Sequence, residues 1–410
     1  MSRKMFSHLK AIAQNRKVCL TFYKSTPFFS SPAGEKMCPV IRIYRKEEPN
    51  FEFGKDYAEF FDGTDYRDAR KIFAGPLKEY NHRKYEFVDT KVDFCRTYSY
   101  WVSLPRHGNP VGPVPVRVRD PEVWWPQEKI ERYMDIITDN YRGYVQKKKF
   151  GRTIRGNDIN GLIAGKAGKT VALIGTLHAG ESGPELILPA LEKILERAKK
   201  LLEETRIAVL PSVNIDEREI LVHGCPWYRR CNANGVDINR NFDAEWEKVE
   251  YGYGLVSSDP DSSTYRGKFP ESEPETRAVV NFINEVKPKV VFSFHGLASI
   301  CGASFVFSKY AVGDAHFKRK AKMLAEAYTQ GMYPDEKRGL KLYPEGSAGS
   351  LPTWLYLKRG IVGFDLEHDG SENAKPSLTD FTTLKLVREY QERHYNGIVQ
   401  VMKKLAGERS

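Results

Sequence analysis

The chain has 410 residues, 41% of them hydrophobic and 29% charged, with a formal net charge of +11. That balance is the balance of an ordinary globular protein, no apolar run reaches the length of a membrane span, and the length predicts two or three domains. The basic excess sits early: residues 1–120 carry 22 Lys/Arg and 14 Asp/Glu, a net +8, and residues 121–410 carry 42 and 39, a net +3. These cations are scattered, with no basic helix and no interleaved aromatic motif, so no nucleic-acid partner is expected. The six cysteines (19, 38, 95, 225, 231, 301) form no CxxC. They read as buried free thiols of a reducing compartment, with a bridge between Cys225 and Cys231 as the alternative. The N-terminus shows no apolar signal core, so a cytoplasmic location is expected, or secretion if a signal was removed.

From residue 12 to 120 the sequence is β-rich. Short runs of β-branched and aromatic residues, beginning at Val18, Val40, Tyr85, Tyr98 and Val114, are punctuated by Gly, Pro, Asn and Asp. Strands at this spacing predict a sandwich. The stretch from Phe87 to Val102 resembles the E-to-F region of a fibronectin type III domain. In that resemblance Tyr98 is the corner tyrosine, its hydroxyl bonded back to the main chain. Residues 121–126 hold two prolines and two tryptophans and read as a linker, and a second domain is expected over 127–410.

Ile130, Tyr133, Met134 and Ile137 recur at helical spacing. Strands then alternate with helices near 184–204, 272–286, 314–331 and 379–405, which predicts an α/β fold with a mixed central sheet flanked by helices. Three apolar runs stand out as buried strands: Thr170 to Leu177, Val290 to Phe294 and Gly360 to Glu367. The first delivers His178-Ala-Gly-Glu181, the second His295, and the third ends in acid. Imidazole and carboxylate three residues apart at a strand mouth can share a metal ion, and a distant third ligand would leave one position open for water.

The order of these pieces resembles the M14 family of zinc carboxypeptidases: His-x-x-Glu, then Arg, then Asp-x-Asn-Arg, then a strand-end His, a Tyr and a strand-end Glu. The resemblance covers about residues 125–405. It implies one Zn²⁺ per chain, held by His178, Glu181 and His295, with Asp237 accepting the free N–H of His178. It implies Arg230 as the carbonyl-polarising arginine, though Arg229 is adjacent. Asn239 and Arg240 would bind a substrate's terminal carboxylate, and Tyr343 would bond that carboxylate or the scissile amide. Glu367 would be the general base and acid; an alignment on Phe364 would choose Asp365 instead. Leu351 falls near the floor of the family's specificity pocket, where the lack of an acid argues against selection of C-terminal Lys or Arg.

The expected function is therefore a zinc-dependent metallocarboxypeptidase acting on a peptide or small amide with a free carboxylate. A hydrolase of cell-wall peptides or N-acyl amino acids is the alternative. A catalytically dead binding protein is the third reading, opposed by the completeness of the set.

Overall fold

The computed structural model describes residues 6–24, 40–49, 64–77, 79–80, 84–104, 110–165, 168–181, 183–249, 255–296, 303–336, 339–367 and 383–407. Cys38, Cys301 and the expected start of the last helix at 379–382 lie outside them. The chain divides into two compact units. One comprises residues up to Trp124 together with Ile220–Trp227; the other comprises Trp125–Glu219 and most of the chain from Tyr228. The two linker tryptophans part accordingly. Trp124 lies under the Arg119 guanidinium, and Trp125 packs on Tyr133.

The first unit is all-β. Its strands are β1 (Phe6–Gln14), β2 (Lys17–Lys24), β3 (Val40–Glu48), β4 (Arg70–Pro76), β5 (Glu79–Tyr80), β6 (Lys84–Asp89), β7 (Arg96–Ser103) and β8 (Val111–Val118). They form two antiparallel sheets in the orders β1-β2-β6-β5 and β4-β3-β7-β8. Alternate residues turn inward, as a half-buried strand requires. Val18, Leu20 and Phe22 from one sheet meet Ile41, Ile43, Tyr98, Tyr100 and Val102 from the other in a single apolar core. The Tyr98 hydroxyl accepts the main-chain N–H of Asp93 at 3.1 Å. Ile220–Trp227 joins this unit through main-chain bonds from Ala13 N to His223 O and from Arg117 N to Gly224 O. Nothing in the composition of that segment announces this.

The second unit is built on a mixed eight-stranded sheet. The strands are β9 (Val145–Arg152), β10 (Asp158–Ala164), β11 (Lys169–Gly175), β12 (Thr205–Leu210), β13 (Val290–Phe294), β14 (Ser304–Ser308), β15 (Lys341–Gly346) and β16 (Val362–Glu367). Their order is β15-β14-β16-β13-β11-β12-β10-β9. The centre is parallel: β11 pairs with β12 and β13, and β13 with β16. The helices are α1 (Gln127–Asn140), α2 (Pro184–Arg197), α3 (Ile215–Val222), α4 (Pro274–Val286), α5 (Ala315–Met332), the single turn α6 (Leu351–Trp354) and α7 (Leu384–Gly407).

Helices cover both faces of this sheet, which explains the unbroken apolar runs. Val171 and Leu173 of β11 enter a core with α1, α2, α5 and α7, while Ala172 and Ile174 enter another with α4. A strand buried on both sides cannot alternate with polar residues. Among the described residues Cys19, Cys95, Cys225 and Cys231 form no disulfide bridge, and all four are half-buried rather than buried. No described helix is long and apolar enough to cross a membrane.

The register fixes where function can sit. Gly175 pairs with Phe294, and Phe294 with Leu366, so the carboxyl ends of β11, β13 and β16 finish side by side. In open α/β sheets ligands bind beyond such ends.

Candidate active site

The first loop leaves β11 through Thr176, a β-branched residue with φ of 51°. That left-handed conformation is costly for such a side chain. Three bonds hold it. Its Oγ1 accepts Val213 N at 3.1 Å and meets Ser212 Oγ at 3.2 Å, and its carbonyl accepts Asn214 N at 3.0 Å. The reversal turns His178-Ala-Gly-Glu181 across the strand ends. Arg218, fully buried beneath, ties the loop down by donating to Ala179 O at 3.1 Å and Glu181 O at 2.8 Å, and it pairs with Glu185.

His178, Glu181 and His295 converge. Their ligand atoms lie within 4.8 Å of one another, and all three residues are buried. Each imidazole presents Nδ1 to the same oxygen, Glu181 Oε2, at 2.9 Å. Each sends Nε2 the other way: His178 to Asp237 Oδ1 at 2.9 Å, and His295 to Ser293 Oγ at 2.9 Å and Asp365 Oδ1 at 3.2 Å. With Nε2–H donated outward, a neutral imidazole turns a lone pair inward from Nδ1. Two lone pairs then face one carboxylate oxygen, a donor set that only a cation or added protons can reconcile. Without a metal, protons would fill the need. Burial disfavours a charged His295, yet Asp365 and Glu181 raise it well above its usual value. Burial likewise opposes ionisation of Glu181, but His178 and His295 hold it low. The set fits a divalent ion with two nitrogen ligands and one oxygen ligand, a composition suited to zinc.

Asp237 has no exposed surface. Oδ1 also accepts Asn239 N at 3.0 Å, and Oδ2 receives both Nε and Nη2 of Arg230 at 2.8 Å. Burial opposes its charge, but Arg230, His178 and Arg240 keep the carboxyl well below its usual range. Arg229 points elsewhere, into an ion pair with Glu217. Of the two candidate arginines, Arg230 is the one beside the cluster.

The two acids of β16 separate cleanly. Asp365 Oδ1 stands 3.2 Å from Nε2 of His295 in an ion-pair contact, and Oδ2 accepts Asn239 Nδ2 at 2.9 Å, so the carboxylate lies on the side of the imidazole turned away from Glu181. Glu367, at the strand end, is half-buried. Burial first, then Glu181 and Asp365, push its carboxyl up to about 7, against the pull of His295 and His178.

Asn239 and Arg240 are both buried. The Asn239 amide is engaged at both ends, with Oδ1 accepting Leu351 N at 2.9 Å. Arg240 donates to Asn239 O at 2.7 Å and Leu255 O at 3.3 Å. The Leu351 side chain is fully buried in the apolar core with Phe242 and Trp354, and only its N–H reaches toward the cluster. Tyr343 is 40% exposed on β15, the edge strand, with β14 between it and β16. The structure therefore does not bring Tyr343 or the Leu351 side chain to the cluster.

Sequence reasoning missed Tyr228. Its hydroxyl donates to Glu181 Oε1 at 2.6 Å, and burial with the Glu181 charge keeps the phenol well above its usual value, hence protonated. The available signal was parity: Tyr228 and Arg230 alternate with Arg229, so both can face the same way along an extended segment.

Residues 130–389 match the family Peptidase_M14, zinc carboxypeptidase. The chain is similar to mast cell carboxypeptidase A of Homo sapiens, 31% identical over 202 residues, 42% of this chain and 45% of that protein. It is 43% identical over 75 residues to murein peptide amidase A of Escherichia coli (strain K12), 18% of this chain and 31% of the other. The chain thus spans less than half the length of either relative. Its fold is similar to that of carboxypeptidase A from Helicoverpa armigera, with a TM-score of 0.59 at 14% identity, covering 91% of this chain and 98% of that one.

Loss of a carboxylate that orients a metal-ligating histidine costs about 10- to 100-fold in metal affinity. Asp237→Ala should weaken zinc binding by that amount in a chelator competition, and Tyr343→Phe should leave it unchanged. Equal affinities for wild type and Asp237→Ala would remove Asp237 from the site.

Proposed function

Because the chain belongs to the M14 family of zinc carboxypeptidases over residues 130–389, we propose that it is a zinc-dependent metallocarboxypeptidase releasing the C-terminal residue of peptides. The observation that carries this reading is the convergence of two buried imidazole nitrogens on one oxygen of Glu181. His178, Glu181 and His295 would hold one Zn²⁺ per chain. Bound there, the ion would lower the pKa of a water toward ~7 and act as a Lewis acid on the scissile carbonyl.

Each remaining part of the hydrolysis falls to a residue of the chain. Glu367 takes the proton of the attacking water and passes it to the departing nitrogen, for which a carboxylate tuned upward toward neutrality is suited. Its raised value has a stated source in burial and the neighbouring acids. Asp365 is spent on His295 and Asn239, which leaves Glu367 as the acid for this task. Arg230, one edge of its fork held by Asp237, is assigned to stabilising the oxyanion. Arg240 is assigned to the substrate's terminal carboxylate, which a planar fork can meet with two bonds. Asn239, bonded at both ends of its amide, holds the turn that presents it. We read residues 1–120 as a β-sandwich domain of the fibronectin type III kind, joined to the hydrolase by 121–126.

A second reading has one observation in its favour. The match to murein peptide amidase A is stronger per residue than the carboxypeptidase match, though it covers only 75 residues. On that reading the same residues would act on a cell-wall peptide.

Glu367→Gln should keep the fold and the metal but lose about 10²- to 10⁴-fold in kcat, the contribution of a proton-transfer group. The base must be ionised, so kcat/KM should rise with pH until Glu367 has lost its proton. Asp365→Asn removes a negative charge that raises Glu367, so the acidic limb should move to lower pH. A Glu367→Gln enzyme with wild-type kcat would return the role to Asp365.

Arg240 makes the free terminal carboxylate a requirement. N-acyl dipeptides should be turned over and their C-terminal amides should be poor substrates in the same assay. Equal turnover of acid and amide would sink the exopeptidase reading and favour an amide hydrolase of another kind.

A further inference from the structure

The sheet has a second end. β13 and β16 begin side by side, with Val290 paired to Val362, and they carry His295 and Glu367 at their far ends. A cavity of about 440 Å³ opens where the two strands begin. It shares no residue with the metal cluster. Sites for small molecules run from roughly 300 to 1,000 Å³, so there is room for an organic ligand.

Four cations line this cavity, from four stretches of chain. Lys287 ends α4, Lys289 stands at the entry to β13, Lys320 lies on α5, and Arg359 closes the turn Leu355–Arg359 that follows α6. No acid lines it. Among the described residues, Lys287, Lys289 and Lys320 form no ion pair. The acids nearby are engaged elsewhere, Glu285 with Lys148 at 2.6 Å and Asp243 with Lys358 at 2.8 Å. Glu271 feels the charges of Arg359 and Lys358 but does not line the cavity. Like charges gathered around one hollow repel, and an anion between them relieves that repulsion.

Helix ends account for part of the cluster. A cation at a helix C-terminus is stabilised by the dipole, which suits Lys287 and Arg359. Lys320 stands in the second turn of α5, where the dipole gives no such help, and Lys289 belongs to no helix.

Arg359 is held ready. Its Nη2 donates to Asn284 Oδ1 at 2.9 Å, its Nη1 donates to Lys358 O at 3.0 Å, and the guanidinium lies 4.8 Å from the centroid of the Trp354 ring. Each of those nitrogens has a second N–H to give. A planar fork fixed in advance loses little freedom when it meets a phosphate. Buried Ile283 and Pro288 and half-buried Ile361 add an apolar wall beside the charges.

We propose that this cavity binds a small organic phosphate, its phosphoryl group among Lys287, Lys289, Lys320 and Arg359 and its organic body against Ile283, Pro288 and Ile361. The arginine fork meets two phosphate oxygens at once, and the lysines add point charges. The site is separate from the hydrolytic one and does not depend on the zinc reading.

The test is calorimetric titration of the full chain with adenosine 5′-monophosphate and with ribose 5-phosphate, against inorganic phosphate and adenosine as partial ligands. At least one organic phosphate should bind once per chain, more tightly than either partial ligand, and added salt should weaken it. A net charge of +11 attracts anions of any kind, so two variants of equal charge are compared. Lys320→Glu should weaken binding about 10-fold or more, the loss of one charge-assisted hydrogen bond. Lys322→Glu alters the same helix at a residue that pairs with Glu326 and does not line the cavity, and it should bind as wild type does. Lys289→Glu, at an exposed side chain, carries the comparison if Lys320→Glu fails to fold. Equal weakening by Lys320→Glu and Lys322→Glu overturns the proposal. So does a wild-type chain that binds neither organic phosphate more tightly than inorganic phosphate.

Discussion

The site hangs on one buried carboxylate. Asp237 has no exposed surface, and its two oxygens take bonds from His178, the main chain at Asn239 and the fork of Arg230. Taking a carboxylate out of water costs several kcal/mol unless its lone pairs are filled. Here they are filled by His178, by the Asn239 main-chain N–H and by the Arg230 fork. The cost of burial thereby turns into geometry. The tautomer of His178, the direction of its Nδ1 and the position of Arg230 are all set by the same group, so none can drift without the others.

The same logic recurs on the other histidine. His295 gives its outward nitrogen to Ser293 and Asp365, and Asp365 also holds Asn239. Each imidazole thus has a carboxylate behind it and Glu181 in front. The sheet makes this possible. Parallel neighbours β11, β13 and β16 finish in register, and the chain reverses at Thr176 to lay the first loop across them. Cores on both faces of the sheet hold the strands in place.

Much of this was legible in the sequence for a physical reason. A parallel strand covered on both faces must be apolar throughout, so Thr170 to Leu177, Val290 to Phe294 and Gly360 to Glu367 advertised themselves, and their polar ends marked the site. What resisted reading depended on direction rather than type. Leu351 was placed by its spacing from a Gly-Ser pair, but the turn at α6 sends its side chain into the core. Tyr343 was placed by order in the chain, but it falls on an exposed edge strand. Asn239 matched by residue type, yet its amide is bonded at both ends within the protein. Tyr228 carried no motif at all. Its place beside Glu181 depends on a glycine forty-eight positions earlier that leaves room for its ring, a coincidence of space that no local pattern encodes. The segment Ile220–Trp227 was equally silent, since main-chain atoms make the bonds that place it in the β-rich unit.

The central claim is that His178, Glu181 and His295 together hold one zinc ion, and the most direct measurement is metal content after exhaustive dialysis. Wild type should retain one zinc per chain, and His295→Ala should retain none, because a catalytic site needs three protein ligands to keep its ion. Stoichiometric zinc in the folded His295→Ala protein would contradict the account.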